Sequence, residues 1–258
     1  MDNSRVIDHI VNWLKTYCDK AGLQGFVLGI SGGIDSALTS TLCAKTGKDV
    51  WVLSMPIYQA KDQLTRAHNH IKWLKNHFSN VHEAEIDLSP VFQSMETHFP
   101  KDIQDQLTMA NTRSRLRMLT LYAYAGNKKL LVAGTGNKVE DFGVGFFTKY
   151  GDGGVDLSPI ADLVKTEVWS LAKTLGVLEE IIEAKPTDGL WGDNRSDEDQ
   201  IGASYPELEW AMEFSGSETD LTERQKEVLL IYRKFNRANQ HKMHPIPVCL
   251  IPGELRNS

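Results

Sequence analysis

Near the start of the chain, Val6, Ile7, Ile10, Val11, Leu14 and Cys18 recur at helical spacing and predict an amphipathic helix. Asn3 or Ser4 can cap it and Gly22 can stop it. The period then shortens. Residues 25–30 (GFVLGI) form an apolar run ending in a glycine-rich turn, and helical spacing resumes over 36–44, so the pattern is strand, loop, helix. The unit repeats, with strands over 50–55 and 81–86 on either side of a helix over 64–78. A helical stretch over 112–125 leads to another apolar run, 130–133, which ends at Gly134-Thr135-Gly136. Strands alternating with helices imply an α/β fold with a parallel sheet covered on both faces. Ligands in such folds sit beyond the carboxyl ends of the strands, so two glycine-bearing turns open at one rim.

Beyond Gly136 the pattern loosens. Gly143, Gly145, Gly151, Gly153 and Gly154 lie among aromatic and charged residues, and helical spacing returns only over 166–175. Residues 143–154 therefore read as a binding loop, and 185–204, dense in Gly, Asp and Asn, as a second irregular segment. With no internal repeat or linker composition, residues 1–258 read as one domain.

The 258 residues are 41% apolar and 24% charged, values of a folded globular protein. A net charge of −6 gives no general attraction to nucleic acid, and no run approaches the ~20 apolar residues of a membrane span, so neither partner is expected. Cys18, Cys43 and Cys249 form no C-x-x-C pair and read as thiols in a reducing cytoplasm. His68, His70, His77, His82 and His98 have no spacing that suggests a metal site and read as surface residues.

Candidate chemistry concentrates in Ser31-Gly32-Gly33-Ile34-Asp35-Ser36, which follows a strand and opens a helix. Small residues let backbone N–H groups approach phosphate oxygens, and the helix N-terminus adds positive potential. The run is neither a Walker loop nor a dinucleotide fingerprint. It resembles the PP-loop of the ATP pyrophosphatases, enzymes that cleave ATP between the α- and β-phosphates and pass AMP to an acceptor. The loop alone does not name the acceptor. Gly134-Thr135-Gly136-Asn137-Lys138-Val139-Glu140, followed by Gly145-Phe146-Phe147-Thr148-Lys149-Tyr150-Gly151-Asp152-Gly153-Gly154-Val155-Asp156, is similar to the central signature of NAD synthetases. Agreement continues through 111–118, Leu163-Val164-Lys165, Lys185-Pro186-Thr187 and His241-Lys242, with Val164 replacing the usual threonine.

That resemblance implies a Rossmann-like, adenine nucleotide alpha hydrolase-like fold and a set of site residues. Gly29, Ile30, Ser31, Gly32, Gly33, Ile34, Asp35 and Ser36, with Thr135, Lys165 and Thr187, match ATP-binding positions. Asp35 and Glu140 match magnesium ligands, as suits a hard cation on ATP phosphates. Arg115, Lys149, Asp156, His241 and Lys242 match positions that bind deamido-NAD, whose diphosphate and carboxylate favour cations. Arg113, Arg115 and Arg117 alternate on a helix, about 200° apart at each step, so only Arg115 is expected at the site. Trp191 is a candidate stacking residue, and Ser196-Asp197-Glu198-Asp199 reads as a solvated helix start.

The implied reaction is ATP-dependent amidation of deamido-NAD to NAD through an NAD-adenylate, with Asp35, Glu140 and Lys165 as the catalytic group and AMP and pyrophosphate as products. No nitrilase-like glutaminase segment accompanies the synthetase motifs, so free ammonia is the expected nitrogen donor. The segments 143–154 and 188–204 are candidate lids, and a homodimer with 115–124 at its interface is implied by the family alone. Two rivals stand beside this reading, another PP-loop adenylating enzyme (a tRNA-modifying ligase or a GMP synthetase ATPase-like chain) and a non-catalytic nucleotide-binding module.

Overall fold

The computed structural model of the protein describes residues 1–187 and 196–256. Helix α1 (Asn3–Ala21) leads through Gly22, at φ 67°, into β1 (Gly25–Gly29). Its cap is Asp2, which accepts from the Arg5 N–H at 3.2 Å. Asn3 instead spends its amide on Ser170 and Thr174, both at 2.8 Å. Next come α2 (Ile34–Lys45), β2 (Asp49–Ser54), α3 (Lys61–His77) and β3 (Val81–Glu85). Helix α4 (Ser89–His98) buries only Phe92, so its apolar period is too thin to read from sequence. Helix α5 (Gln106–Lys128) starts earlier than the apolar pattern predicts because Asp105 caps it on the Thr108 N–H at 3.0 Å. It leads into β4 (Leu130–Val132).

All pairings in the sheet are parallel, in the order β3-β2-β1-β4. Its side chains alternate faces with period two. Phe26, Leu28, Val50 and Val52 pack with Leu14, Leu38, Leu74 and Leu171, while Val27, Leu53 and Val132 pack with Phe92, Leu116 and Leu121. Both faces are thus covered by helices, as the continuous apolar strand runs require. Truncating a fully buried leucine such as Leu14 or Leu38 to alanine would cost about 2–5 kcal/mol. Because β1 has β2 on one side and β4 on the other, the chain reverses its direction of winding there, and a crevice opens beyond the ends of β1 and β4.

Past β4 the chain forms a π-helical turn over Val139–Val144, then α6 (Lys165–Thr174), α7 (Glu179–Ile182), α8 (Asp197–Ile201), α9 (Tyr205–Glu213) and α10 (Glu223–Met243). Helix α8 lies inside the segment read as irregular, at the helix start expected over 196–199. Ser196 caps it, accepting from the Asp199 N–H at 3.1 Å, so its five residues are held by a cap rather than by an apolar stripe. A third apolar cluster joins the π-helical turn to α9 and α10 through Val139, Val144, Leu208 and Val228.

His70 corrects a second expectation. It is fully buried, bonded to the Ser40 hydroxyl at 2.9 Å and stacked on Trp73, and burial lowers its pKa to about 4. It occupies the inward stripe of α3 with Ala67, Ile71 and Leu74, a position its polarity conceals in the sequence. Cys18 and Cys43 are buried free thiols and Cys249 is an exposed one.

Candidate active site

The crevice at the ends of β1 and β4 is a cavity of about 700 Å³, a size suited to nucleotide ligands. Its floor is the loop of residues 29–36. Gly32 has φ 83°, and a Cβ there would come within 2.5 Å of the Gln63 carbonyl oxygen, so only glycine lets α3 pack against the loop. Ser31 and Ser36 brace it. Their hydroxyls lie 3.1 Å apart, Ser31 Oγ accepts from the Gly33 N–H at 3.1 Å, and Ser36 Oγ donates to the Gly33 carbonyl at 2.9 Å. The first amides of α2 face this loop without intrahelical acceptors, which makes an anion cradle.

Above the loop, three distant segments meet at one atom. Lys165 Nζ donates to Asp35 Oδ2 at 2.6 Å and to Glu140 Oε1 at 3.0 Å, across 130 and 25 residues of sequence. Its side chain is 1% exposed. Burial works against the ammonium charge, but Asp35 and Glu140 outweigh it and hold the pKa above its ordinary range. Asn137 ties the group together, donating to Asp35 Oδ1 at 3.0 Å while its own oxygen accepts from the Val139 and Glu140 N–H groups. Val164 lacks a capping hydroxyl. The Glu167 carboxylate accepts from its N–H at 3.1 Å, and Glu209 accepts from Thr166 N and Oγ1, so α6 still starts where Lys165 needs it.

Tyr205, fully buried at the start of α9, donates to Glu140 Oε1 at 2.6 Å, and its hydroxyl lies 3.3 Å from Asp197 Oδ2. Burial, reinforced by Glu140, Asp197 and Asp35, pushes its phenol well above the usual range. Asp197 is therefore a buried member of the site, which corrects the expectation of a solvated acidic face. Asp141 also lines the cavity, where burial first and then Glu140, Asp152 and Asp35 raise it to about 8. Its carboxylate rests against Gly136, where a Cβ would approach within 2.1 Å.

Farther out, a turn over 148–152 is pinned to α5. Thr148 Oγ1 donates to Asn111 at 2.6 Å, and Asp152 Oδ1 accepts from Ser114 Oγ at 2.6 Å and the Thr148 N–H at 3.1 Å. Lys149 Nζ donates to the His241 carbonyl at 2.6 Å, Lys242 Nζ to the carbonyls of Gly145 and Phe147, and Arg115 Nε to the Lys149 carbonyl at 3.2 Å. These cations rest on neutral carbonyls.

Of the residues singled out from sequence, Gly29 to Ser36, Thr135, Glu140, Lys165, Thr187, Arg115, Lys149, His241 and Lys242 all line this cavity. Asp156 does not. Its carboxylate accepts from the Val132 N–H at 2.8 Å and from Tyr122 Oη at 3.0 Å, tying β4 to α5. Arg117 lines the cavity beside Arg115, against the rotation argument, because its long side chain folds inward and its Nε reaches the Met55 carbonyl at 3.0 Å. Burial lowers Arg117 to about 10, still charged at neutral pH. Trp191 and the rest of 188–195 lie outside the described residues. Asn137, Asp141, Asp197 and Tyr205 carried no signal of their own beyond their places in or near the motifs.

The two carboxylates around Lys165 also fit a magnesium ion. Both are hard oxygen donors, and both reach a single cation. Among the described residues no group of three or more His, Cys, Asp or Glu could hold a metal, so phosphate oxygens would complete its shell. Among the same residues, no helix is long and apolar enough to cross a membrane.

The NAD synthase family model matches residues 6–245. The chain is 36% identical over 240 residues to an NH(3)-dependent NAD(+) synthetase of Carboxydothermus hydrogenoformans, covering 91% of this chain and 93% of that protein. It is similar to a solved NMN synthetase from Francisella tularensis, at TM-score 0.86 and 30% identity, covering 98% of this chain and 99% of that one. It is also similar to an NH3-dependent NAD synthetase from Campylobacter jejuni, at TM-score 0.78 and 26% identity, with 97% and 100% covered.

Proposed function

The chain belongs to the NAD synthase family, and on that premise we propose that its cavity amidates deamido-NAD to NAD with ATP and free ammonia. The enzyme is a carbon–nitrogen ligase. The observation that carries the mechanism is the meeting of Asp35, Glu140 and Lys165 above the Ser31–Ser36 loop. A carboxylate resists attack by an amine, so it must first be activated. The nicotinate oxygen attacks the α-phosphorus of ATP, forming an NAD-adenylate and releasing pyrophosphate into the loop. Ammonia then attacks the mixed anhydride, and AMP leaves with NAD.

Asp35 and Glu140 would hold Mg2+, which would offset charge on the ATP phosphates. Lys165 meets the phosphates and Thr135 and Thr187 border them, while Arg115, Lys149, His241 and Lys242 hold the dinucleotide. Asp156 serves the acceptor side indirectly, by fixing β4 against α5. No protein nucleophile is needed, so positioning and electrostatics carry the rate. We treat residues 1–258 as one synthetase domain. Exposed Leu119 and Tyr122 on α5, beside Arg115, support a homodimer whose interface borders the acceptor site. The reading extends to a cytoplasmic location, where free thiols stay reduced.

A second reading changes the acceptor and keeps the chemistry. The likeness to the Francisella protein, with the higher TM-score of the two structures, favours a mononucleotide. One assay separates the possibilities. Pyrophosphate release is expected to depend strictly on deamido-NAD, with NAD formed from ammonium and little from glutamine. Faster turnover of nicotinate mononucleotide would select the second reading, and equal use of glutamine would overturn the ammonia assignment.

A further inference from the structure

Tyr205 is a phenol buried to 0% exposure whose hydrogen-bond partner is a carboxylate of the active site 65 residues away. Its O–H reaches Glu140 Oε1 at 2.6 Å, the same oxygen that takes Lys165 Nζ at 3.0 Å. Lys165 Nζ also lies 4.6 Å from the centre of the Tyr205 ring. One aromatic side chain thus touches the anion through its hydroxyl and the cation through its face.

We propose that Tyr205 is a positioning residue for the adenylation step, holding Glu140 in place by its hydroxyl when Lys165 gives up that carboxylate. The proposal rests on the reading that Asp35 and Glu140 hold Mg2+. An ammonium and a divalent cation compete for one carboxylate oxygen. When MgATP arrives, Lys165 must therefore exchange its carboxylates for phosphate oxygens, and it keeps the ring face as a cation–π partner meanwhile. Glu140 then loses its charged tether, and among the described residues the Tyr205 hydroxyl is the hydrogen bond that remains on its carboxylate. Asp197, 3.3 Å from the same hydroxyl, supplies a competing acceptor. Its N–H bonds to the Pro186 carbonyl at 3.0 Å, so the acceptor that competes for the phenol's one proton is tied to the segment that carries Thr187. A purely structural tyrosine would contribute through its ring, which packs edge-on to Trp169 at 6.3 Å.

Tyr205→Phe separates the roles, since it keeps ring, packing and cation–π contact and removes only the hydroxyl. Binding of Mn2+ together with a non-hydrolysable ATP analogue, followed by electron paramagnetic resonance, is expected to weaken about 10- to 100-fold. The metal concentration needed for turnover should rise by a similar factor, while the KM for deamido-NAD stays unchanged. Because Tyr205 acts through Glu140, adding Tyr205→Phe to Glu140→Gln should weaken metal binding no further. That double variant buries no orphaned charge and serves if Tyr205→Phe alone fails to fold. Unchanged Mn2+ binding in Tyr205→Phe, or additive losses in the double variant, would overturn the proposal. Asp35→Asn is the control for the underlying reading. If it too binds the metal normally, the magnesium assignment fails and takes this proposal with it; if it loses the metal while Tyr205→Phe does not, only the proposal fails.

Discussion

The inner and outer halves of the cavity hold their charges differently. Lys165 sits at 1% exposure against two carboxylates, whereas Lys149 and Lys242 rest on backbone carbonyls and Arg115 is exposed. A carbonyl orients a cation without neutralising it, so the outer cations keep their field for an incoming anion. The inner ammonium is already matched, and in the proposed reaction it would exchange partners before serving ATP. Preorganisation therefore means opposite things at the two ends, with charge kept open outside and held closed inside.

The comparison breaks most sharply at the carboxylates. Asp35→Asn and Glu140→Gln are each expected to lower kcat by about 100- to 1,000-fold. Folding should survive, because Lys165 keeps one carboxylate partner in either variant. Near-normal turnover at modest magnesium would show that the inner site is only a buried salt bridge. A smaller effect sharpens the contrast. Lys149→Ala and Lys242→Ala should each raise the KM for deamido-NAD about tenfold, or about 1.4 kcal/mol, with ATP affinity unchanged. Lys165→Ala should instead impair ATP use and the adenylation rate. Equal losses of ATP affinity in all three variants would erase the division into halves.

The least effect at neutral pH comes from His70, which lies in neither half. Its folded pKa of about 4 is below the usual 6.5. An imidazole kept neutral by burial contributes its full stability above pH 6.5, and that contribution is lost as pH falls from 6.5 toward 4, by roughly 3 kcal/mol. Thermal melts over that window should show a shallower acid slope for His70→Leu than for the parent chain. An unchanged slope would assign the acid sensitivity to carboxylates held below their usual range, such as Glu207 beside Arg224, and leave His70 without a part in it.

Legibility from sequence follows the same division. The loop from Ser31 to Ser36 reads directly, because a local turn imposes its residue types on consecutive positions. Glu140 and Lys165 were legible only through resemblance, since a lone carboxylate and a helix-start lysine look like surface residues. Tyr205 looks like one more aromatic in a helical stripe, and nothing local records that its hydroxyl reaches across 65 residues. Asp156 shows the converse. Its motif suggests a ligand, and its carboxylate also accepts from the Val132 N–H and Tyr122, a structural task only the packed sheet reveals. Arg117 escaped because helical rotation describes where a side chain starts and says little about where a long flexible stem ends.

Helix α10 gives the site a history as well as a shape. Asn236 and Asn239 donate to the carbonyls of Gly143 and Val144 at 2.8 Å each, and Lys242 reaches those of Gly145 and Phe147. The turn bearing Glu140 is thus buttressed by a helix that follows it by some eighty residues or more. Ribosomes add residues in order, so a nascent chain exposes its phosphate cradle, and can assemble much of the sheet, well before the segment that steadies Glu140 has been made. Competence arrives late in translation, and an arrested product lacking α10 would be a nucleotide-sized crevice with an unsupported catalytic wall.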